Sequence, residues 1–216
     1  METMDRRGTS RETGYTVTSV QELVSIVGEP SDMIANKSTP YLTPLVTEFL
    51  QKSPYYLLAT ASTEGTCDVS PRGDPAGSIR VLDERTLLLP ERPGNRRIDS
   101  LRNIVTNPHV GLLFLIPAVD ETVRVNGRAT ITRDPELLAT VAMRGKSPSL
   151  AIVVEIDEVF AHCARSILRS KLWAPDSWGD PDEVPTLAAI MAEQLHLAPP
   201  DESQGKRNEE YRTRLY

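Results

Sequence analysis

The feature that most constrains this chain is a succession of short strand-like segments joined by turns, with only short helices between them. Tyr55 to Ala61 is an apolar run closed by a Glu64-Gly65 turn, and Thr66 to Arg72 alternates loosely. Gly73-Asp74-Pro75-Ala76-Gly77 is loop chemistry. Ser78 to Leu82 and Thr86 to Leu89 flank Asp83-Glu84-Arg85 as a hairpin-like pair. Val110 to Ile116 is a continuous apolar run that reads as a strand buried on both sides. In Glu121 to Thr132, Val123, Val125, Ala129 and Ile131 share one parity, broken by Gly127. Ser149 to Phe160 is the last long strand, with Ile152, Val154 and Ile156 on one face. Hairpin order of this kind predicts a mainly β, α+β fold. Its antiparallel sheet should curl into a barrel, because closure removes unpaired edges. Nothing resembles βαβ winding and no Gly-x-Gly-x-x-Gly follows a strand, so a Rossmann dinucleotide site is not supported.

Helices are expected around this sheet. Ser19 and Glu22 make a capping box for a helix carrying Val20, Leu23, Val24 and Val27. A second starts near Thr43 with Pro44 in its first turn. A third, after Pro93-Gly94-Asn95, would bury Ile98, Leu101, Ile104 and Val105 and stop at Asn107-Pro108. Asp134-Pro135 opens a short one, and His162 to Ser170 forms another. Val184 to Leu197 could present Leu187, Ile190, Met191 and Leu195 on one face. The expected organisation is an N-terminal arm and helix (1–40), a barrel (41–175), and a C-terminal helix and tail (176–216). Residues 1–16 read as a polar arm and 199–216 as a loosely held tail.

Charge and composition narrow the function. The 216 residues carry 24 Lys and Arg against 30 Asp and Glu, a net charge of -6. Nucleic-acid binders usually carry a basic excess or stripe, so no nucleic-acid partner is expected. No apolar run approaches the ~20 residues that span a bilayer, and the polar start does not read as a signal peptide. A cytoplasmic location, away from membranes, is the expectation. Cys67 and Cys163 stand at no metal-like spacing and read as two buried thiols. The three histidines, His109, His162 and His196, do not pair at metal spacing, so no metal site is expected. Gly-x-Ser-x-Gly is absent, which removes support for a nucleophile elbow.

Two stretches could carry a site. Glu91 to Leu101 sets a flexible loop with Asn95, Arg96 and Arg97 just before a helix. A helix start offers unpaired N–H groups and a positive dipole end, and guanidinium forks match phosphate geometry. The alternative is a solvated basic helix start. In the second stretch, a strand over Thr66 to Arg72 would put Asp68, Ser70 and Arg72 on one face, disturbed by Pro71. That stripe is either a lined site or an outer solvent face. Asp68, Asp74 and Asp99 could cluster in space or stand as separate loop acids.

These segments together resemble the FMN-binding split-barrel proteins related to pyridoxamine 5'-phosphate oxidase. The resemblance runs over residues 45–173. It is carried by Phe49 to Ala61, Ser70-Pro71-Arg72-Gly73, the Arg96-Arg97 loop, Asn107-Pro108, His109-Val110-Gly111-Leu112 and Arg124-Val125-Asn126-Gly127-Arg128-Ala129. It implies an antiparallel split β-barrel with short peripheral helices. The implied function is an FMN-dependent oxidoreductase acting on an unidentified small molecule, in a homodimer with the flavin at the interface. Asn95, Arg96 and Arg97 would meet the phosphate, Ser70 and Arg72 the ribityl chain or ring edge. Lys171 and Trp173 would reach the ring from the other subunit. Arg72 or Lys171 would supply the positive charge that stabilises a reduced ring. The alternatives are a flavin carrier or sensor without turnover, or the same barrel holding a deazaflavin or haem. The phosphate motif and C-terminal arginine segment of the true oxidase do not align here, so the resemblance does not reach pyridoxamine phosphate oxidation itself.

Overall fold

The computed structural model describes residues 15–198, 208, 209, 211–213, 215 and 216. The arm expected over residues 1–16 therefore lies outside the described residues except for its last two. Two compact units divide at Lys37 and Ser38. In the first, α1 (Val20–Val27) is capped by Ser19, whose hydroxyl accepts from the Glu22 N–H at 3.1 Å. Gly28 ends it with φ 86, a conformation that glycine adopts without steric cost. A single turn, α2 (Asp32–Ala35), follows.

The second unit holds the sheet. It opens with α3 (Pro44–Lys52), capped by Thr43 with Pro44 in the first turn, as expected. The strands are β1 (Tyr55–Ala61), β2 (Cys67–Gly73), β3 (Arg80–Asp83) and β4 (Thr86–Glu91). After α4 (Asp99–Thr106) come β5 (His109–Leu115) and β6 (Thr122–Thr132). After α5 (Pro135–Thr140) comes β7 (Leu150–His162), followed by α6 (Arg165–Ser170) and α7 (Leu187–Gln194). The seven strands form one sheet in the order β2-β1-β5-β6-β7-β4-β3, antiparallel throughout. It is a split barrel rather than a closed one, since no ladder joins β2 to β3. Even so, one buried cluster takes Tyr56 and Leu58 from β1 together with Leu87 and Leu89 from β4, so the sheet curls around a shared core. Pro71 stays inside β2, opposite Leu57, because β2 is an edge strand whose outer side needs no N–H donor.

Side-chain alternation explains most of the burial. Val110, Leu112 and Phe114 of β5 are buried while Gly111, Leu113 and Leu115 are half-buried. That corrects the expectation of a strand buried on both sides: a curled sheet has one core face, and the apolar run fills both faces regardless. In β7 the strand runs on through His162, two residues beyond the expected end. In α4, Leu101 and Ile104 are buried, but Val105 is 76% exposed and Ile98 precedes the helix at 47% exposure. One hundred degrees per residue carries Val105 off the core face. In α7 the buried residues are Ala188 and Ala192, and Leu187, Ile190, Met191 and Leu195 are exposed. Apolar residues surround that helix, so their spacing alone could not select a face. Both cysteines are exposed, not buried; Cys67 falls on the outward parity of edge strand β2.

The register of β6 on β7 shifts at Asn126 and Gly127, which pair with Glu158 and Ile156 and leave Asp157 as the extra residue of a bulge. Gly127 is required there: a Cβ would lie 2.1 Å from the Glu155 carbonyl oxygen. Gly127→Ala should therefore destabilise the fold by about 1–3 kcal/mol or more, measured by chemical denaturation. A second expectation concerns Tyr56, 7% exposed with its ring 5.1 Å from that of Phe114. Burial, chiefly, pushes its phenol pKa well above the ordinary value of 10.0, with the Arg72 charge opposing and Glu91 adding. The unfolded chain gives up this proton first, so stability is intact below the ordinary phenol range and falls as pH rises beyond it. Tyr56→Phe should flatten that alkaline decline relative to wild type in denaturation curves at stepped pH.

Candidate functional site

Between β2 and the end of β4 lies a cavity of about 900 Å³. Its walls are β2, the end of β4, the loop into α4, the first turn of α4 and residues 146–149. Strand alternation aims Asp68, Ser70 and Arg72 inward, half-buried, between exposed Cys67, Val69 and Pro71. The polar stripe of the sequence is thus a lined site, not a solvent face. Asn103 donates to Asp68 at 2.8 Å and to Thr60 at 3.0 Å. The Ser70 and Ser100 hydroxyls lie 3.1 Å apart, and Arg72 Nε donates to Ser70 at 3.1 Å. Across the gap, Arg72 pairs with Glu91 and Asp74 with Arg92, the latter at 2.6 Å. Side-chain ion pairs therefore span the split where the backbone ladder does not.

The loop before α4 is shaped by residues with left-handed backbone, Arg96 at φ 62 and Ile98 at φ 53. The Asn95 side-chain oxygen accepts from the Arg97 N–H at 3.0 Å and holds the turn. Ile98 stands at the N-cap position and no side chain caps the helix start. Residues 98–101 line the cavity, so the first turn of α4 brings its uncapped N–H groups and the Ser100 hydroxyl to that wall. Arg97 pairs with Asp99, which holds its guanidinium still more firmly protonated. Arg96 is exposed and makes no ion pair among the described residues.

Five of the seven sequence-predicted residues, Ser70, Arg72, Asn95, Arg96 and Arg97, line this one cavity. The other two do not join them within the chain. Lys171 ends α6 at φ 53, and Trp173 Nε1 donates to the Val119 carbonyl at 2.9 Å; both line a separate hollow of about 610 Å³. Asp68, Asp74 and Asp99 do converge on the main cavity, but each has its own partner: Asn103, Arg92 and Arg97 respectively. Glu91 offsets the charge of Arg72, which weakens Arg72 as a lone cation beside a ring. Among the described residues, no histidine, cysteine or methionine lines the cavity, and no group of three His, Cys, Asp or Glu could hold a metal ion.

Sequence reasoning missed Ser100, the Asp74–Arg92 pair and Tyr216. The hydroxyl of Tyr216 donates to Asp74 at 2.8 Å, so this residue of the expected loose tail is fixed at the cavity wall. Ser100 carried a signal, a small hydroxyl in the first turn after the arginine loop. Tyr216 carried none, because it reaches Asp74 across 142 positions of sequence.

The arrangement has the features of a binder more than of an acid–base machine. Its carboxylates are spent on cations and donors, Arg97 being paired with Asp99, while Arg96 and an uncapped helix start remain without a counter-charge among the described residues. No helix among the described residues is long and apolar enough to cross a membrane.

No curated protein matches the sequence. The solved structures similar to it include HupZ of Group A Streptococcus, at 19% identity and TM-score 0.45 over 56% of this chain and 93% of that one. A candidate pyridoxamine 5'-phosphate oxidase of Lactobacillus delbrueckii subsp. is 26% identical, with TM-score 0.44 over 56% of this chain and 95% of that one. The haem storage protein HutZ of Vibrio cholerae is 16% identical, with TM-score 0.37 over 55% and 93%. The family model for pyridoxamine 5'-phosphate oxidase matches residues 42–163, a span that holds all seven strands and every cavity residue except Tyr216. On that match, the chain belongs to the pyridoxamine 5'-phosphate oxidase family.

Proposed function

We propose that the chain binds FMN in the cavity between β2 and α4 and works as an FMN-dependent oxidoreductase on a small molecule. The observation that carries this reading is the uncapped start of α4 beside Arg96 and Arg97, at the mouth of a cavity within the usual ligand-site range of roughly 300–1,000 Å³. Arg96, Arg97 and the Asn95-held turn would take the phosphate. The Ser70 and Ser100 hydroxyls and the Ser70-bonded Arg72 would run along the ribityl chain. Bound flavin would supply the redox chemistry, and the protein would bind, orient and shield it. Protonated Tyr56, on the cavity floor, would remain a neutral donor. A homodimer is part of this reading: Lys171 and Trp173 lie apart from the cavity in their own chain, so they would reach the ring only from a second copy. A cytoplasmic location is likewise part of the proposal.

Absorbance of the purified protein, before and after adding FMN, tests the cofactor. Twin bands near ~370 and ~450 nm support FMN. One band near ~420 nm points instead to deazaflavin or haem. Bound flavin with no reoxidation by any offered substrate would favour a carrier or sensor. Replacing Arg96 and Arg97 together with Ala should weaken FMN binding by roughly 10- to 100-fold and leave riboflavin binding nearly unchanged. Equal loss for both ligands removes the phosphate assignment. Dilution to monomer, followed by light scattering and flavin fluorescence, should release flavin if the site is shared.

A further inference from the structure

Beyond the phosphate loop, the cavity has a second polar corner that the FMN reading does not use. A tight turn, Met143 to Lys146, is closed by two reciprocal backbone hydrogen bonds of 2.9 Å. Its central residues, Arg144 at φ 50 and Gly145 at φ 75, are both left-handed, the geometry of a type I′ turn. Strain of this kind at a non-glycine residue is found at ligand clamps. Here it projects Arg144 and Lys146 toward the corner. Opposite them, the Asp74 side chain is 7% exposed and takes Arg92 on Oδ2. Arg92 is itself tied to the Val141 carbonyl at 3.0 Å. The Asp74 Oδ1 atom is the one that receives the Tyr216 hydroxyl.

Tyr216 is thus held by directional contacts rather than by an apolar socket. Its hydroxyl donates to Asp74. Its ring lies 5.6 Å from the Arg92 guanidinium and 5.0 Å from that of Arg144, and Lys146 Nζ donates to its main-chain oxygen at 3.4 Å. Guanidinium groups attract the face of an electron-rich ring, and a nearly buried carboxylate oxygen needs a donor. These are the contacts by which a protein recognises a free phenol.

We propose that Asp74, Arg92 and Arg144 form a binding subsite for a planar, electron-rich ring bearing a hydroxyl, and that Tyr216 occupies it as a built-in competitor. Ligand and Tyr216 cannot share the corner, so binding there requires Tyr216 to leave. The apparent affinity of the wild type is reduced by the fraction of molecules in which Tyr216 is seated. Burial, then the Asp74 contact, raises the Tyr216 phenol pKa and keeps it in the donor form. The subsite lies outside the Arg96–Arg97 loop and does not rest on the cofactor assignment.

The test uses p-cresol, a free copy of the tyrosine side chain, with toluene as the control that lacks the hydroxyl. Titrations are followed by calorimetry on the full chain, wild type and Tyr216→Ala. The expected result is p-cresol binding roughly tenfold tighter to Tyr216→Ala than to wild type. On the variant, p-cresol should also bind roughly tenfold tighter than toluene, the worth of one hydrogen bond to a charged acceptor. Adding Asp74→Ala to Tyr216→Ala, which removes the acceptor, should erase the preference over toluene, with circular dichroism confirming that each variant is folded. Equal binding of p-cresol to wild type and Tyr216→Ala, or equal binding of p-cresol and toluene to the variant, overturns the proposal. Tyr216→Phe is the second check: it should keep the ring seated and bind p-cresol less tightly than Tyr216→Ala, and binding as tight as in Tyr216→Ala also overturns it. Failure of FMN to bind wild type is a separate result that bears only on the cofactor reading.

Discussion

The sheet does not close on itself, and the molecule depends on how that gap is bridged. The end of β2 is tied to the end of β4 by Arg72 with Glu91 and Asp74 with Arg92, side-chain pairs largely shielded from water. Pairs so placed must be complete, because removing one member leaves an uncompensated charge at the rim of the core. They set the width of the cavity, and they also fix its charge pattern. Arg72, Arg92 and Arg97 each have a carboxylate partner, while Arg96 has no ion pair among the described residues.

Strand β7 makes that geometry possible. It pairs with β6 on one side and β4 on the other, so it joins the long run β2-β1-β5-β6 to the short β4-β3 hairpin. The bulge opposite Gly127 changes the parity of β7, burying Ile152, Val154 and Ile156 before it and Val159 after it. Local twist at such a bulge bends the strand.

Much of this was legible in the sequence because it rests on local chemistry. The strands, the Thr43-Pro44 helix start, the break in parity at Gly127 and the polar parity of Asp68, Ser70 and Arg72 all follow from alternation and turn residues. The grouping of Asn95, Arg96 and Arg97 at a helix start was visible for the same reason. What was hidden depends on distance along the chain. Nothing near Asp74 says that its partners are Arg92 and Tyr216. Apolar residues at Val105 and around α7 could not declare which face is buried, because periodicity marks a stripe only when the opposite side is polar. Lys171 and Trp173 lie beyond residue 163, where the family match ends, and share no cavity with the rest of the site.

Pro71 has a wider consequence. It sits in β2, at an open margin of the sheet, with its partner β1 on one side only. A foreign strand docking there would find one amide hydrogen missing from the row it needs, next to the exposed Cys67 and Val69. That margin is a poor template for fibre growth or for extending the sheet into a neighbouring molecule.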